Sequence, residues 1–327
     1  MNWKNRKVLV TGAGGFIGSH LSESLVKLGA NVRAFVHYNA LGSWGWLDQS
    51  AVKSRMEVVT GDICDRDSVR RAVEDREIVF HLAALIAIPY SYQAPLSYIR
   101  ANVEGTFNVL QAARATGVRR VVHTSTSETY GTAQYVPIDE KHPLQGQSPY
   151  SASKIGADKM AEAFYCSFDA PVVTVRPFNT FGPRQSARAI IPTIITQLLA
   201  GRKIKLGNLT PTRDLNYVAN TVDGFILAAS APKAIGKTIN LGSGREISIL
   251  ALTRLIAKLL RKPLKIESEM KRIRPARSEV DRLLADNRLA RRLLGWQPRV
   301  SLEDGLEQTI AWIQKNLDRY RPGAYAL

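Results

Sequence analysis

The run Thr11–Gly18 (TGAGGFIG), which overlaps the end of the apolar segment Lys7–Thr11 (KVLVT), decides the fold of this chain. A short β-branched segment of this kind predicts a buried strand, and the residues after the glycines have helical periodicity. Gly12, Gly15 and Gly18 let the backbone turn tightly and approach a pyrophosphate at the positive N-terminus of that helix. Because strand, turn and helix come in the order that the motif requires, the run predicts a dinucleotide-binding unit.

The rest of the N-terminal half repeats this alternation of short β-branched runs and helical patterns, which is typical of a parallel sheet. The predicted strands are Lys7–Thr11, Asn31–Val36, Met56–Thr60, Ile78–Leu82, Arg120–Thr124 and Val172–Val175. Helical patterns cover Phe16–Leu28, Tyr98–Thr116 and Tyr150–Phe168. We therefore expect an α/β protein with a doubly wound, Rossmann-type parallel sheet.

The alternation weakens after Pro177. Gly201–Thr212 and Leu264–Ala276 are predicted to be loops and short strands, whereas Ser248–Leu260 and Leu302–Asn316 have helical periodicity. We expect a smaller, mixed α/β lobe here that binds the substrate. Residues 1–177 plus about 213–244 are predicted to form the dinucleotide-binding domain, and residues of about 178–212 plus 245–327 the substrate lobe.

The composition of the 327 residues, with 45% hydrophobic and 8% aromatic side chains, is typical of a globular protein. No run approaches the ~18 apolar residues of a membrane span, and the N-terminus has no signal-peptide pattern. The two cysteines, Cys64 and Cys166, cannot form a disulfide framework, and neither a CxxC pair nor a histidine cluster suggests a metal. These features predict a cytoplasmic protein without a metal.

The chain is strongly basic, with 45 Lys and Arg against 28 Asp and Glu, a net charge of +17. Residues 254–299 contribute 14 basic and 5 acidic residues, so about half of the excess lies in this segment. The positive electrostatic potential of such a chain favours an anionic partner. A pyrophosphate-bearing substrate, nucleic acid and an acidic membrane face are the candidates. A spread-out, solvated surface explains the charge equally well.

Tyr150 and Lys154, in the run YSASK, are four residues apart and therefore lie on one face of a helix. A neighbouring ammonium favours the phenolate form of a tyrosine, and so does a positively charged nicotinamide ring. The phenolate can take a hydroxyl proton while hydride leaves the same carbon for the cofactor. Glu128, in the run STSETYG (125–131), places a carboxylate where a second chemical step would need one.

Together these motifs resemble the extended short-chain dehydrogenases/reductases of the nucleotide-sugar epimerase/dehydratase family, over nearly the whole chain. The matching pieces are TGAGGFIGSH (from Thr11), GDICD (61–65), HLAA (81–84), STSETYG, YSASK (150–154), RPFNTFGPR (176–184), RDLNYV (213–218) and LGW.P (294–298). The resemblance implies a tightly held nicotinamide cofactor that is oxidised and reduced within each turnover. It also implies a homodimer through the helices 98–116 and 149–168, with no role for a membrane or, in all but a remote alternative, for nucleic acid.

The resemblance also assigns roles to individual residues. Catalytic roles fall to Thr126 as the ligand of the sugar O4, to Ser127 and Glu128, and to Tyr150 with Lys154. The cofactor-binding positions are Gly12, Gly15, Phe16, Ile17, Gly18, His37, Asp62 on the adenine side, Ile63, Leu82, Ala83, Ala84, Tyr150 and Lys154. The substrate-binding positions are Asn179, Arg184, Arg213 and Arg277, with Arg274 as an alternative to Arg277.

The triplet Thr126-Ser127-Glu128 points to a subgroup. Epimerases of this family usually have small or apolar residues here, whereas the 4,6-dehydratases have Thr-Asp-Glu or Thr-Ser-Glu. The resemblance therefore implies oxidation at C4, loss of water across C5 and C6, and return of the hydride to C6. Either Glu128 or Ser127 supplies the proton for the leaving hydroxyl. An epimerase, a 5,6-dehydratase and, more remotely, a non-catalytic nucleic-acid-binding protein are the alternatives.

The substrate and the cofactor are less constrained. Tyr38-Asn39 and Ser43–Asp48 (SWGWLD) resemble dehydratases that supply bacterial nonulosonic acid synthesis, which implies a nucleotide-activated N-acetylglucosamine. The tryptophans fit a packing role in a loop over the cofactor equally well. The second strand ends in Phe35-Val36-His37-Tyr38 without a carboxylate for the ribose, so His37 and Arg33 leave room for NADP. We expect NAD, which the resemblance favours.

Three polar residues have structural interpretations. His81 and His123 lie on apolar strands and are predicted to be core histidines whose ring nitrogens find partners inside the protein. Asn102 is predicted to brace neighbouring backbone rather than to touch the substrate.

Overall fold

The computed structural model describes residues 1–201, 203–273 and 275–320. Its strands are β1 (Lys7–Thr11), β2 (Asn31–His37), β3 (Met56–Gly61), β4 (Ile78–His81), β5 (Arg120–Thr124), β6 (Val172–Pro177), β7 (Asn179–Phe181), β8 (Ile204–Leu206), β9 (Thr212–Tyr217), β10 (Thr238–Leu241), β11 (Glu246–Ser248) and β12 (Ile266–Ser268). Seven of them form one parallel sheet in the order β10-β6-β5-β4-β1-β2-β3. This order confirms the predicted doubly wound, Rossmann-type sheet, because the chain reverses its direction of winding between β1 and β4.

The α-helices are α1 (Phe16–Lys27), α2 (Arg66–Val73), α3 (Ile88–Gln93), α4 (Pro95–Tyr98), α5 (Gly105–Ala115), α6 (Pro149–Phe168), α7 (Ile190–Leu199), α8 (Val218–Ser230), α9 (Ile249–Leu259), α10 (Arg288–Leu294) and α11 (Leu302–Lys315). A π-helical segment, Ile99–Glu104, joins α4 to α5, so the predicted helix 98–116 is continuous but irregular. Asn102 lies in this segment, and its side chain exchanges two hydrogen bonds with the backbone of Leu85. Its predicted bracing role is confirmed.

Both faces of the main sheet are buried, because helices cover each of them. Successive side chains of a strand point to opposite faces and therefore belong to different core clusters. Val8 and Val10 of β1 pack with α1 and α8 in one core cluster. Leu9, between them, packs on the other face, where α2, α5 and α6 lie. The short continuous apolar runs seen in the sequence are therefore strands covered by helices on both sides.

The second half of the chain builds a smaller lobe and also returns once to the main sheet. Strands β7, β9 and β11 form a three-stranded sheet, and β8 pairs with β12. Helix α8 packs on the main sheet, and β10 extends its edge beside β6. Strand β9 belongs to the small sheet, so we propose that the returning segment, predicted from about residue 213, begins near Val218. We propose domain boundaries adjusted accordingly, with 178–217 in the substrate lobe.

No helix among the described residues is long and apolar enough to cross a membrane.

Candidate active site

One large cavity, of about 1230 Å³, lies between the carboxyl ends of the main-sheet strands and the smaller lobe. In open parallel sheets this edge, at the point where the strand order reverses, is where ligands bind. The cavity is lined by the glycine turn after β1, by the ends of β2, β4, β5 and β6, and by residues of the substrate lobe. All five residues predicted to be catalytic line it, namely Thr126, Ser127, Glu128, Tyr150 and Lys154.

The glycine turn is shaped for close approach of backbone. Gly12 has φ +67°, and a Cβ atom built on it would lie 2.9 Å from the backbone nitrogen of Ala83. A Cβ on Gly18 would lie 2.2 Å from the carbonyl oxygen of Gly12. The Thr11 hydroxyl accepts hydrogen bonds from the backbone of Leu82 and Ala83, both at 3.1 Å, which fixes this corner of the cavity.

We expect Gly12→Ala to lose cofactor binding by at least tenfold, because the new methyl group collides with backbone that cannot give way. The left-handed backbone adds a strain of roughly 1–2 kcal/mol. Gly117→Ala is the matched control, since Gly117 has φ +68° but open space around its Cβ position. Bound cofactor per protein chain after gel filtration measures the difference. Equal retention in the two variants would contradict the assignment of the turn.

The loop after β2 covers the glycine turn and is held in place from outside. Trp44 lines the cavity, and the backbone N–H of Trp46 donates to the carbonyl of Gly14 at 2.9 Å. The indole of Trp46 packs edge-on against Trp312 of α11, with ring centroids 5.3 Å apart. The tryptophans of this loop therefore have a packing role, which was one of the two interpretations of the sequence.

The structure corrects one argument about the cofactor's ribose. His37 lines the cavity, but Arg33 does not. The Arg33 guanidinium forms an ion pair with Glu57 at 2.9 Å and donates to backbone carbonyls at the end of α2. Arg33 therefore cannot support NADP binding as expected from the sequence. Asp62 is exposed at the end of β3, and Ile63 is buried beneath it.

The triplet follows β5 directly. Thr126 begins a 3₁₀ turn, Ser127–Tyr130, and its hydroxyl accepts a hydrogen bond from the backbone N–H of Glu128 at 3.3 Å. Ser127 and Glu128 are both buried, with 2% and 9% of their surfaces exposed. The turn thus brings the largely buried Glu128 to the wall of the cavity that Tyr150 also lines.

Helix α6 presents Tyr150 and Lys154 from the other side. Ser148 begins the helix with a capping box to Ser151, and Pro149 occupies its first turn. Burial raises the pKa of Tyr150, a hydrogen bond from Thr126 lowers it, and the charge of Glu128 raises it. The sequence led us to expect that Lys154 favours the phenolate form of Tyr150. In the protein without bound ligands, burial has the larger effect and favours the protonated phenol. Burial lowers the pKa of Lys154 to about 8, and its Nζ donates to the Thr124 carbonyl at 2.5 Å.

Both core histidines are placed as predicted. His81 bonds Thr11 through Nδ1 at 2.9 Å and Thr106 through Nε2 at 3.0 Å. His123 Nε2 lies 3.0 Å from a carboxylate oxygen of Asp158. Burial lowers the pKa of both rings, so they are neutral near pH 7.

The predicted substrate-binding residues separate into two groups. Asn179 and Arg213 line the cavity, and Arg213 also pairs with Glu279 at 3.4 Å. Arg184 does not line it, because its guanidinium pairs with Glu23 of α1 at 3.0 Å. Arg277 is exposed outside the lining. These placements do not support substrate roles for Arg184 and Arg277, and Arg274 lies outside the described residues.

The structure adds residues that sequence reasoning missed. Arg188 and Arg272 of the substrate lobe line the cavity, and so does Tyr92 of α3, whose hydroxyl lies 2.6 Å from the Ser278 hydroxyl. Arg188 lies only four residues beyond the RPFNTFGPR run, so proximity to that motif was an available signal. Arg272 was hidden in the general basic charge of the segment 254–299.

The cavity fits a nicotinamide cofactor and a second, anionic ligand. The glycine turn is a backbone cradle for a pyrophosphate. Among the described residues, the buried Thr124 Oγ1 and Asn179 Oδ1 have no hydrogen-bond partner, and both residues line the cavity. A buried polar atom without a partner is unfavourable, so such atoms on a cavity wall indicate a polar ligand.

Comparisons with known proteins agree with this geometry. The family described as "GDP-mannose 4,6 dehydratase" matches residues 9–309. A UDP-glucose 4-epimerase of Mycolicibacterium smegmatis is 34% identical, covering 94% of this chain and 98% of the relative. A dTDP-glucose 4,6-dehydratase of Actinoplanes sp. is 32% identical, covering 95% and 98%. The structure of DesIV, a dTDP-glucose 4,6-dehydratase from Streptomyces venezuelae with NAD and TYD bound, has a TM-score of 0.86 at 29% identity and covers 96% of this chain and 98% of that chain.

The chain is thus similar to relatives named for either activity, and the neighbouring dehydratase structure holds NAD. The chain belongs to the GDP-mannose 4,6-dehydratase family, within the extended short-chain dehydrogenases/reductases that act on nucleotide sugars with NAD.

Proposed function

We propose that this enzyme is a nucleotide-sugar 4,6-dehydratase that converts an NDP-hexose to the NDP-4-keto-6-deoxy sugar. One observation carries the proposal: the buried carboxylate of Glu128 shares the cavity with Tyr150 and is close enough to raise its pKa. An epimerase needs only the tyrosine, whereas removal of water across C5 and C6 also needs a group that can take and give a proton.

The first step is oxidation at C4. Bound NAD supplies the hydride acceptor for C4 and the hydride donor for C6. Tyr150 takes the proton of the C4 hydroxyl, Thr126 hydrogen-bonds the same oxygen, and the Lys154 ammonium opposes the effect of burial on the phenol. An oxidised nicotinamide ring bound beside Tyr150 would favour its phenolate form in the same way as Lys154.

The second step is elimination. A ketone at C4 acidifies the C5 proton, which Glu128 takes, and the C6 hydroxyl leaves with a proton as water. Ser127 cannot donate that proton readily at the usual pKa of a hydroxyl, so we assign the donation to Glu128. Hydride then reaches C6, and C5 takes up a proton that balances the one Tyr150 removed from the C4 hydroxyl, so Tyr150 and Glu128 return to their starting protonation states. The substrate loses one water and the cofactor ends in its starting state, so no external reductant is consumed.

The substrate class follows from charge and from the relatives. Arg188, Arg213 and Arg272 line the cavity and suit a diphosphate. Glu279 and Glu269, which pair with Arg213 and Arg272, orient these two guanidinium groups. We propose NDP-N-acetylglucosamine as the first substrate to try, NAD as the tightly bound and recycled cofactor, and the cytoplasm as the location, since both cysteines are free thiols.

A substrate panel read by proton NMR tests the function. Purified protein is incubated without added cofactor with UDP-GlcNAc, GDP-GlcNAc, UDP-glucose, dTDP-glucose and GDP-mannose. A new C6 methyl signal beside a C4 ketone or its hydrate is expected with one of them. Inverted C4 or C5 without a methyl group would identify an epimerase, and an alkene would identify a 5,6-dehydratase. Absence of turnover after NAD and NADP are added would count against the proposal.

We further propose a homodimer through the π-helical segment, α5 and α6. These elements pack on one another and carry exposed apolar side chains, including Ile99 (53% exposed) and Phe107 (38%). Light scattering at micromolar concentration should give twice the monomer mass. Ile99→Glu should give a monomer, because it buries a charge at the interface. Leu28→Glu, at an exposed apolar position just after α1, should leave the dimer intact. A wild-type monomer would contradict the proposal.

A further inference from the structure

Lys154 is a buried ammonium, and the charges around it come from several elements. Only 3% of its surface is exposed, and its Nζ donates to the Thr124 carbonyl. The groups that act on it electrostatically are His81 on β4, His123 on β5, and Asp158 one turn further along α6. Tyr150 lies one turn before it. Both histidines are neutral, so Asp158 supplies the negative charge.

Asp158 is itself held rigidly from three directions. Its carboxylate accepts hydrogen bonds from the Ser125 hydroxyl at 2.6 Å, from Arg176 Nη2 at 2.6 Å and from His123 Nε2 at 3.0 Å. Because the carboxylate is ionised, the neutral His123 ring carries its proton on Nε2, and among the described residues its Nδ1 has no partner. The carboxylate therefore has a fixed position, one helical turn beyond Lys154 on α6.

Asp158 is not part of the substrate cavity. It lines a second cavity, of about 370 Å³, on the far side of α6, together with Arg176 and Lys237. Asp158 thus lies outside the substrate cavity and acts on Lys154 and Tyr150 through its charge. An isolated ammonium in a dry site tends to lose its proton rather than stay charged, unless a carboxylate balances it.

We propose that Asp158 is a positioning residue that keeps Lys154 protonated beside Tyr150. The Arg176, His123 and Ser125 side chains hold the Asp158 carboxylate in place for this role. The inference rests on the proposed role of Tyr150 and Lys154 in oxidation at C4. Its direct physical content, the protonation state of Lys154, can be tested without turnover.

The sign of the effect is defined. Asp158 raises the pKa of Lys154, which burial otherwise lowers, so Asp158→Asn should lower that pKa from about 8 by roughly one unit or more. The alkaline decline of kcat should then move to lower pH by the same amount, with KM little changed. The acidic limb of the kcat profile is less informative. Asp158 also raises the pKa of Tyr150 directly, so the substitution changes two groups at once there.

The titration is followed by NMR of ¹³C-labelled lysine Cε atoms in the purified protein, with Lys154 assigned through Lys154→Met. Asp214→Asn is the matched control, because Asp214 is also fully buried and accepts several hydrogen bonds but lies in another lobe. It should lower Tm without moving the Lys154 titration or the kcat profile. If Asp158→Asn lowers Tm in the same way and moves neither, the role is purely structural and the proposal is wrong.

Chemical rescue gives a second test that a structural role would not satisfy. Asp158→Ala leaves space that opens into the second cavity, through which formate can enter. Formate should restore kcat of this variant at least tenfold without affecting the wild type, and formamide should not. Equal rescue by both would show that shape rather than charge matters and would overturn the proposal. If no substrate turns over, the lysine titration still decides the question, so failure here is distinct from failure of the proposed function.

Discussion

Glu128→Gln should reduce dehydration by ~10²–10⁴, the usual contribution of a general acid–base group, while substrate affinity stays near that of the wild type. Gln has the shape of Glu but cannot take the C5 proton. The block lies after oxidation, so the variant should accumulate the oxidised sugar together with reduced cofactor. The near-ultraviolet absorbance of reduced nicotinamide should therefore rise on mixing and persist, and proton NMR should show no C6 methyl group.

Glu140→Gln is the matched control for this variant. Glu140 is a largely buried carboxylate whose pKa burial raises, but it lines the second cavity rather than the active site. Its carboxylate accepts a hydrogen bond from the Asn240 backbone at 2.9 Å, which the Gln carbonyl oxygen can also accept. Dehydration by Glu140→Gln should be close to normal. Near-normal dehydration by Glu128→Gln would remove Glu128 from the mechanism and favour epimerisation.

Tyr150→Phe should abolish the first step, with a loss of at least ~10² and up to ~10⁴ in kcat. The phenyl ring fills the same space but accepts no proton from the C4 hydroxyl. Unlike Glu128→Gln, this variant should give no reduced cofactor on mixing with substrate, although it should bind the substrate with an affinity close to that of the wild type. The two variants together separate oxidation from elimination, which product analysis alone cannot do.

Tyr130→Phe serves as the control for Tyr150→Phe. Tyr130 is the last residue of the 3₁₀ turn that carries Glu128, it is fully buried, and its hydroxyl donates to Asn240 at 2.8 Å. Loss of that hydrogen bond should lower the free energy of unfolding by about 1 kcal/mol and leave oxidation intact. Reduced cofactor formed by Tyr150→Phe at the wild-type rate would show that another group accepts the C4 proton.

Much of the fold was predictable because the decisive signals are local. A strand, a glycine turn and a helix occupy adjacent residues, and their order alone specifies a βα unit. The six predicted strands agree with β1–β6 to within two residues at each end, because short apolar runs covered on both faces differ clearly from amphipathic helices. The π-helical segment between α4 and α5 was missed, since the helical periodicity of the sequence does not distinguish a π-helical turn from an α-helical one.

The substrate side was harder to predict because it is built from distant segments. Arg184 belongs to a motif of the family, yet its partner Glu23 lies 161 residues earlier in the chain. Arg33 follows the same pattern, since its carboxylate partner Glu57 is on the neighbouring strand. The sequence does not show whether the guanidinium group of an arginine forms an ion pair with a carboxylate from a distant part of the chain. Charge count therefore predicted an anionic ligand but not which guanidinium groups face it.

The sequence by itself determined the cofactor turn, the Tyr150–Lys154 pair and the carboxylate of the triplet, because each depends on spacing within one turn or one helix. Only the tertiary structure decided how these groups titrate. Burial raises the pKa of Tyr150 and lowers that of Lys154 to about 8. The spacing of residues in the sequence does not predict how deeply these side chains are buried. The carboxylate that opposes this loss of charge, Asp158, is held by β5 and β6, and the desolvation of a group depends on everything that packs around it.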